Sequence, residues 1–218
     1  MPSIKIREPI LNECIEYMKR MHKGQVRRVT NAPYYIHLLR VLDLMEESPF
    51  FFSSRDKCAG LLHDVKEDSP DFSWDEIVER FGIYVAGTVA MLSKTKLGEL
   101  KPEIYFSMLR LANPRIIAIK IMDRIDNTSE YNIITDADWL EKYMNETINL
   151  ILPLVEIMVN RGEIESQQEF YHLGIWLEDR VQQNLHGMQT RIRDLRAMQG
   201  FVYCKPKATK SSKPKISR

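Results

Sequence analysis

Residues 60–68 read GLLHDVKED, an apolar run that leads directly into a cluster of ionisable side chains. No Gly or Pro follows the first residue of this stretch, so we expect it to be helical. His63 and Asp64 end the apolar part. Helical spacing would place two further carboxylates, those of Glu67 and Asp68, one turn beyond that pair. Burying this much charge is costly unless a cation compensates it, so the stretch predicts a metal site.

Two other segments offer further metal ligands. His37 lies in a segment whose apolar side chains recur at helical spacing, which predicts an amphipathic helix over 35–47. Residues 116–127, IIAIKIMDRIDN, are again an apolar run that ends in acidic and amide groups. The three segments together provide two imidazoles and two carboxylates: His37, His63, Asp64 and Asp123. This mixed set suits Mn, Fe or Zn better than Ca, which prefers oxygen ligands.

Each of these residues also has an ordinary structural interpretation. A single His on an apolar helix face is more often a core residue than a ligand. Asp123 and Arg124 could form a surface ion pair, and residues 64–71 could form a solvated turn. The metal-site interpretation therefore rests on the combination, an H…HD…D arrangement, and not on any one residue.

Five segments between about residues 20 and 157 carry motifs in a fixed order. They are HKGQVRR (22–28) with PYYIH (33–37), LLHDVKEDS (61–69), FGIYVA (81–86) with LSK (92–94), IKIMDRIDN (119–127), and ET (146–147) with LPL (152–154). The series resembles the motifs H-x-G-Q-x-R…P-Y-x-x-H, LLHDVVEDT, FG-x-x-V-A…TK, VKLADRLHN and ET…Y-x-P-L-A of the RelA/SpoT-type alarmone hydrolase domain, a branch of the HD phosphohydrolases. Five matches in the right order would rarely arise by chance.

The resemblance implies a metal-dependent hydrolase that removes pyrophosphate from the 3′ position of (p)ppGpp and releases GDP or GTP. It implies that Mn²⁺ is held by the four residues His37, His63, Asp64 and Asp123. The acid–base candidates are the two carboxylates expected beyond the ligand pair, Glu67 and Asp68. The expected substrate contacts are Arg28 at the nucleobase and Asn127 at the sugar or a phosphate. Four lysines could neutralise phosphate charge, and the sequence does not rank them: Lys66, Lys94, Lys120 and Lys142.

Four positions depart from the family's motifs: Val29, Leu38, Asp126 and Glu130. The family usually has Lys, Pro, His and Thr there. None of the four is a proposed metal ligand. The departures near Arg28 and after Asn127 fall where the family holds its nucleotide. The sequence therefore supports hydrolysis better than it supports the substrate's identity.

The fold expected from the periodicity is all-α, and the resemblance specifies an HD-domain helical bundle. Beyond the part that the resemblance explains, apolar residues that recur every three or four positions predict an additional C-terminal amphipathic helix. The predicted helices cover 9–22, 35–47, 55–66, 73–81, 84–93, 99–112, 115–126, 136–160 and 164–199. We expect a hydrolase domain over 1–160 and a C-terminal helical extension packed on it over 161–200. The stripe of apolar residues in that extension could instead be a self-association surface, which would make the protein a homo-oligomer. Residues 201–218 form a basic tail, expected to be disordered, that could contact tRNA.

Composition limits the classes of function. The chain has 218 residues, a mass of 25.6 kDa and a formal net charge of +1, which gives no global attraction to nucleic acid or membrane. Cys14, Cys58 and Cys204 are widely spaced and lack a CxxC pattern, so we expect free thiols. The first 30 residues carry charges and no long apolar run, so we expect no signal peptide and a cytoplasmic protein.

Three other functions remain open at this stage. A different HD nucleotidase, such as one that hydrolyses dNTPs, would share the ligands but not need the residues that flank them. Removal of pyrophosphate from modified tRNA 3′ ends, an antitoxin-like activity, would use the basic tail. A non-enzymatic nucleotide-binding protein would not need intact ligands and acids. The sequence does not distinguish guanine from adenine alarmones.

Overall fold

The computed structural model describes residues 8–94 and 102–203, together with their side chains except at 102, 163–167 and 199–203. The α-helices in this part are α1 (Pro9–Met21), α2 (Tyr35–Glu47), α3 (Ser54–Leu62), α4 (Val65–Asp68), α5 (Trp74–Leu92), α6 (Pro102–Arg110), α7 (Pro114–Ser129), α8 (Ala137–Glu146) and α9 (Leu152–Tyr203). A 3₁₀ turn (Tyr131–Ile133) follows α7 and a π turn (Thr147–Ile151) precedes α9. No β-strand occurs in the described residues, so the all-α prediction is confirmed. None of the described helices is both long and apolar enough to cross a membrane.

The prediction of one continuous helix over 55–66 is wrong at His63 and Asp64, the pair of proposed metal ligands. α3 ends at Leu62, and a turn at His63 and Asp64 separates it from the single turn of α4. The carbonyl of Asp64 accepts hydrogen bonds from the backbone N–H groups of Glu67 (3.0 Å) and Asp68 (3.1 Å), so Asp64 begins the new helix. The two acids therefore do not continue the faces of α3, which ends at Leu62.

α5 joins the two helices predicted over 73–81 and 84–93. Gly82 interrupts this helix with φ 87°, a backbone conformation that residues with a side chain rarely adopt and that Gly adopts readily. A Cβ at this position would meet no atom within 4 Å, so the backbone angle, and not crowding, is what calls for Gly.

The core consists of two hydrophobic clusters. One is built from α1, α2, α3 and α5, and the other surrounds α7 with contributions from α2, α6, α8 and α9. Nearly every residue from 116 to 128 on α7 is buried, including Asp123 and Asp126. A helix buried on all sides must satisfy each of its charges with protein partners or a bound ion.

Helix α9 folds back on itself. A Cβ at Gly174 would lie 2.3 Å from Cγ2 of Val159, and one at Gly162 would lie 2.3 Å from the ring of Phe170. In a straight helix, residues 159 and 174 would be roughly 22 Å apart, so its two halves must pack side by side. This agrees with the division predicted between 160 and 164, although the helix is assigned as continuous.

The second half of α9 packs on the core. Phe170, Leu173, Leu177, Val181, Leu185, Met188 and Ile192 all belong to the cluster around α7. The division of the chain at residue 160 remains a prediction. Most of the basic tail, residues 204–218 with Cys204, lies outside the described residues. The other two cysteines, Cys14 and Cys58, are free and buried.

Leu177→Ala tests this packing. Leu177 is fully buried between α9 and the core, so we expect a loss of about 2–5 kcal/mol in the free energy of unfolding. Its matched control, Ile175→Ala, removes an aliphatic side chain that is 51% exposed on the same helix, and should change stability by less than about 0.5 kcal/mol. Urea denaturation measures both, and equal effects would contradict the docking of this segment.

Candidate metal centre

The four predicted metal ligands meet between α2, α7 and the turn that separates α3 from α4. Nε2 of His37 lies 3.2 Å from Oδ1 of Asp123 and 3.6 Å from Oδ2 of Asp64. Nε2 of His63 lies 3.5 Å and 3.1 Å from the same two oxygens. One atom from each of His37, His63 and Asp123 lies within 4.8 Å of the others, which is compatible with a shared ion.

The imidazoles are oriented for metal binding. Nδ1 of His63 lies 2.7 Å from the carbonyl of Gly60, which can only accept, so Nδ1 must carry a proton. Nδ1 of His37 lies 2.6 Å from the carboxylate of Asp126. Both Nε2 atoms are buried without a hydrogen-bond partner. Outer partners on Nδ1 with a free Nε2 are typical of metal-binding histidines, so these residues fit a divalent ion.

The electrostatics of the centre also indicate a cation. Burial favours the neutral carboxyl form, yet Lys120 and then the two imidazoles hold the pKa of Asp123 well below its usual range. Burial lowers the pKa of His37, but the adjacent carboxylates of Asp123, Asp126 and Asp64 outweigh this effect and raise the pKa to about 10. In the metal-free state, protonated imidazoles therefore supply the positive charge that these carboxylates require.

Glu67 and Asp68 have different surroundings. Glu67 is partly buried, and its Oε1 accepts a hydrogen bond from the backbone N–H of Lys94. Burial and the nearby carboxylate of Asp64 raise the pKa of Glu67. Asp68 is exposed, and its carbonyl accepts from Nε2 of Gln25 at 2.5 Å. Of the two predicted acids, Glu67 has the environment expected of a proton carrier.

A cavity of about 230 Å³ opens beside the centre. It is lined by Arg27, Arg28, Val29, Tyr34, Asn127, Glu130, Ile134, Trp139 and Tyr143. A second cavity of about 370 Å³ shares Arg28, Val29, Ile134 and Trp139 with it. Two predicted substrate residues, Arg28 and Asn127, are thus brought together. The third, Lys142, is exposed on α8 and lines neither cavity.

Arg27, and not Arg28, is bound to Asn127. Nη1 of Arg27 donates to Oδ1 of Asn127 at 3.1 Å, and Nδ2 of Asn127 donates to Oδ1 of Asp123 at 2.5 Å. The sequence contained a signal for this, since counting the H-x-G-Q-x-R motif forward from His22 reaches Arg27. Sequence reasoning missed this residue because it gave the second arginine the substrate role.

Tyr34 was missed as well. Its hydroxyl donates to Oδ2 of Asp64 at 2.7 Å, and its ring stacks on His22 at 5.0 Å between centroids. Tyr34 therefore restrains a proposed ligand from the side of the cavity. It lies in the PYYIH motif, but neither of its two tyrosines was assigned a role from the sequence.

Three basic residues, Lys94, Lys120 and Arg124, contribute positive charge near the centre. Nζ of Lys120 donates to Oδ2 of Asp123 at 2.6 Å. Burial, followed by the positive charges of Lys120 and Arg124, lowers the pKa of Lys94. The pKa of Lys94 is lowered partly because two other cations lie nearby, and such an accumulation of positive charge favours the binding of an anion.

Comparison with known proteins agrees with the motifs. A guanosine-3′,5′-bis(diphosphate) 3′-pyrophosphohydrolase of Aquifex aeolicus (strain VF5) is 32% identical over 151 residues, which cover 66% of this chain and 21% of the relative. An enzyme of the same name from Drosophila melanogaster is 26% identical over 168 residues, covering 69% of this chain and 93% of the relative. Over about two thirds of its length the chain is similar to these hydrolases, in agreement with the resemblance of its motifs to the RelA/SpoT-type HD-domain family.

The extent of the match differs between members of this family. The chain spans about a fifth of the length of the Aquifex relative and nearly all of the length of the Drosophila one. A solved structure described as a metazoan ortholog of SpoT shares the family's fold, with a TM-score of 0.66 and 20% identity. It covers 84% of this chain and 98% of its own. No family profile matches the chain.

Mn²⁺ binding to this centre should strengthen as the pH rises. His37 has a higher pKa in the metal-free fold than in the unfolded chain, so its protonation stabilises that fold. This contribution is complete below the unfolded pKa of about 6.5 and is lost as the pH passes about 10. A metal ion must displace the proton on Nε2. We therefore expect the dissociation constant to fall by up to about tenfold per pH unit between pH 7 and 8.5 for each proton released. Calorimetry in two buffers of different ionisation enthalpy measures this, and a pH-independent affinity would contradict it.

Proposed function

We propose that this protein is a metal-dependent 3′-pyrophosphohydrolase of guanosine tetra- and pentaphosphate, (p)ppGpp. The observation that carries the proposal is the buried set of two imidazoles with free Nε2 atoms and two carboxylates, beside a cavity lined by Arg27 and Asn127. The similarity to the 3′-pyrophosphohydrolases of Aquifex and Drosophila supports this substrate and this reaction.

We propose Mn²⁺ as the ion, held by His37, His63, Asp64 and Asp123. Two nitrogens and two oxygens are a donor set that suits Mn²⁺, and the resemblance to the family favours it. When bound, such an ion supplies the charge that activates a water and polarises a phosphoryl oxygen.

The remaining chemistry is assigned to side chains around this set. Water adds to the phosphorus attached at the 3′ position, the bond from that phosphorus to the 3′ oxygen breaks, and the oxygen gains a proton. Glu67 is the proposed proton carrier, because burial and Asp64 raise its pKa toward the working pH. Asp68, exposed on the same turn, is the second candidate.

Two groups of side chains are proposed to hold the substrate. Lys94, Lys120 and Arg124 are proposed to supply positive charge for the pyrophosphate, since Lys120 contacts Asp123 and its charge and that of Arg124 reach Lys94. Arg27, Arg28 and Asn127 lie on the cavity side with Trp139, which is 43% exposed and can stack on a base. Lys142 stays a more distant candidate for a phosphate contact.

The other parts of the expected function remain proposals. Cytoplasmic location, homo-oligomerisation and a tRNA contact through the basic tail rest on the sequence alone. No described contact favours tRNA pyrophosphate, dNTPs or simple nucleotide binding over (p)ppGpp. That residues 161–200 form a separate C-terminal extension also remains a proposal.

Product analysis with Mn²⁺ tests the reaction. We expect the purified protein to release pyrophosphate from ppGpp, and His63→Ala and Asp123→Asn to abolish turnover because each opens the metal site. His186→Ala is the matched control, since it removes an exposed histidine from α9. Chromatography of the products from ppGpp, ppApp and dNTPs identifies the substrate. Hydrolysis of dNTPs without ppGpp would refute the proposed function, and so would near wild-type activity of both site variants.

Glu67→Gln tests the assignment of the proton carrier. The amide keeps the size of the side chain but cannot exchange a proton, so kcat should fall by about 10²–10⁴-fold while KM changes little. Arg28→Ala should instead mainly raise KM, because it removes binding that is the same in ground and transition states. Glu79→Gln, an exposed glutamate on α5, serves as the control. A large KM effect with unchanged kcat in Glu67→Gln would assign Glu67 to binding.

A further inference from the structure

Asp126 is a buried carboxylate that contacts a proposed metal ligand from behind. Its side chain is 4% exposed on α7. Oδ2 lies 2.6 Å from Nδ1 of His37, on the opposite side of the ring from the free Nε2. Arg40, from α2, holds the carboxylate in place, donating from Nε to Oδ1 at 2.5 Å and from Nη2 to Oδ2 at 3.1 Å.

Glu130 extends the same network at the end of α7. Its Oε1 accepts from Nη2 of Arg40 at 2.6 Å. Its Oε2 accepts from Arg27, from Nη2 at 2.9 Å and from Nε at 3.3 Å. The two carboxylates and two guanidinium groups balance in charge, so the network is compensated without a further ion.

The network connects two of the proposed metal ligands, His37 and Asp123. Arg27 continues it through Asn127, whose Nδ2 donates to Oδ1 of Asp123. Hydrogen bonds and ion pairs therefore connect Nδ1 of His37, which points away from the metal centre, with Asp123, which is a ligand in that centre. Arg27 also lines the adjoining cavity, so the path connects that cavity with the ligands.

The two carboxylates of this network stand at positions where the family's motifs have other residues. His and Thr are usual there, as noted above, and neither would carry a negative charge between two arginines. In this chain, both carboxylates accept hydrogen bonds from arginines of the network. Its geometry assigns a purpose to both departures, which the sequence left unexplained.

We propose that Asp126 is a positioning residue, which fixes the orientation and the Nδ1–H tautomer of His37. The ion pairs of Arg40 with Asp126 and Glu130 hold it there. An anionic acceptor on Nδ1 also increases the basicity of Nε2, which strengthens a metal bond at that atom. The inference concerns the same centre as the proposed function, but it is tested through metal binding without nucleotide.

Titration of the metal-free protein with Mn²⁺, followed by the electron paramagnetic resonance of the free ion, tests the proposal. Asp126→Asn keeps the shape of the side chain and removes its charge, and should weaken Mn²⁺ binding by about 10–100-fold. The side chain of Arg40 is partly exposed. Arg40→Gln should weaken Mn²⁺ binding less than Asp126→Asn does, because Asp126 still contacts His37 but no longer has its ion pair with Arg40.

Asp56→Asn is the matched control. Asp56 is also buried and ion-paired with an arginine, Arg115, but it caps α3 away from the centre. It should lower the melting temperature and leave the Mn²⁺ affinity within about twofold of wild type, which separates loss of stability from loss of positioning.

A measurement on the wild-type protein covers the case in which Asp126→Asn does not fold. In the protein loaded with Zn²⁺, imidazole ¹⁵N spectra should show His37 protonated at Nδ1, with that proton protected from exchange. Deprotonated Nδ1 in that spectrum would overturn the proposal. So would a folded Asp126→Asn variant that binds Mn²⁺ within twofold of wild type, or a wild type that binds no divalent ion. Absence of ppGpp hydrolysis alongside the expected metal affinities would refute only the proposed function.

Discussion

The structure depends on one constraint, the burial of carboxylates and imidazoles in the middle of an otherwise apolar core. Asp123 lies on a helix that is buried almost all round, and it faces His37 and His63. Such a group is stable only if positive charge accompanies it. Protons on the imidazoles and the ammonium of Lys120 meet this need in the metal-free state, and a divalent ion would meet it when bound.

The arrangement of helices follows from this requirement. α2 contributes one imidazole, the turn after α3 contributes the second with Asp64, and α7 brings its carboxylate between the two hydrophobic clusters. The break after Leu62 matters for the chemistry. By starting a new helical turn, Asp64 projects toward the imidazoles while Glu67 lies beside Lys94, where its raised pKa suits proton transfer.

The all-α fold was predictable, because hydrophobic periodicity depends on local sequence. The meeting of the four candidate ligands was expected only because the order of the motifs resembles that of the family. The break at His63 was not, since both of its residues have nearly helical backbone angles and no Gly or Pro marks it. Nor were the contacts of Asp126 and Arg27. Each joins residues far apart in sequence, and a single sequence carries no record of which arginine meets which carboxylate.

The most direct test of this account is a crystal structure of the protein grown with Mn²⁺, with anomalous scattering data to locate the ion. The account predicts one strong anomalous peak, bonded to Nε2 of His37 and of His63 and to one oxygen each of Asp64 and Asp123. Metal–ligand distances should be about 2.0–2.3 Å. A peak that lacks either imidazole, or an empty centre at saturating Mn²⁺, would contradict it.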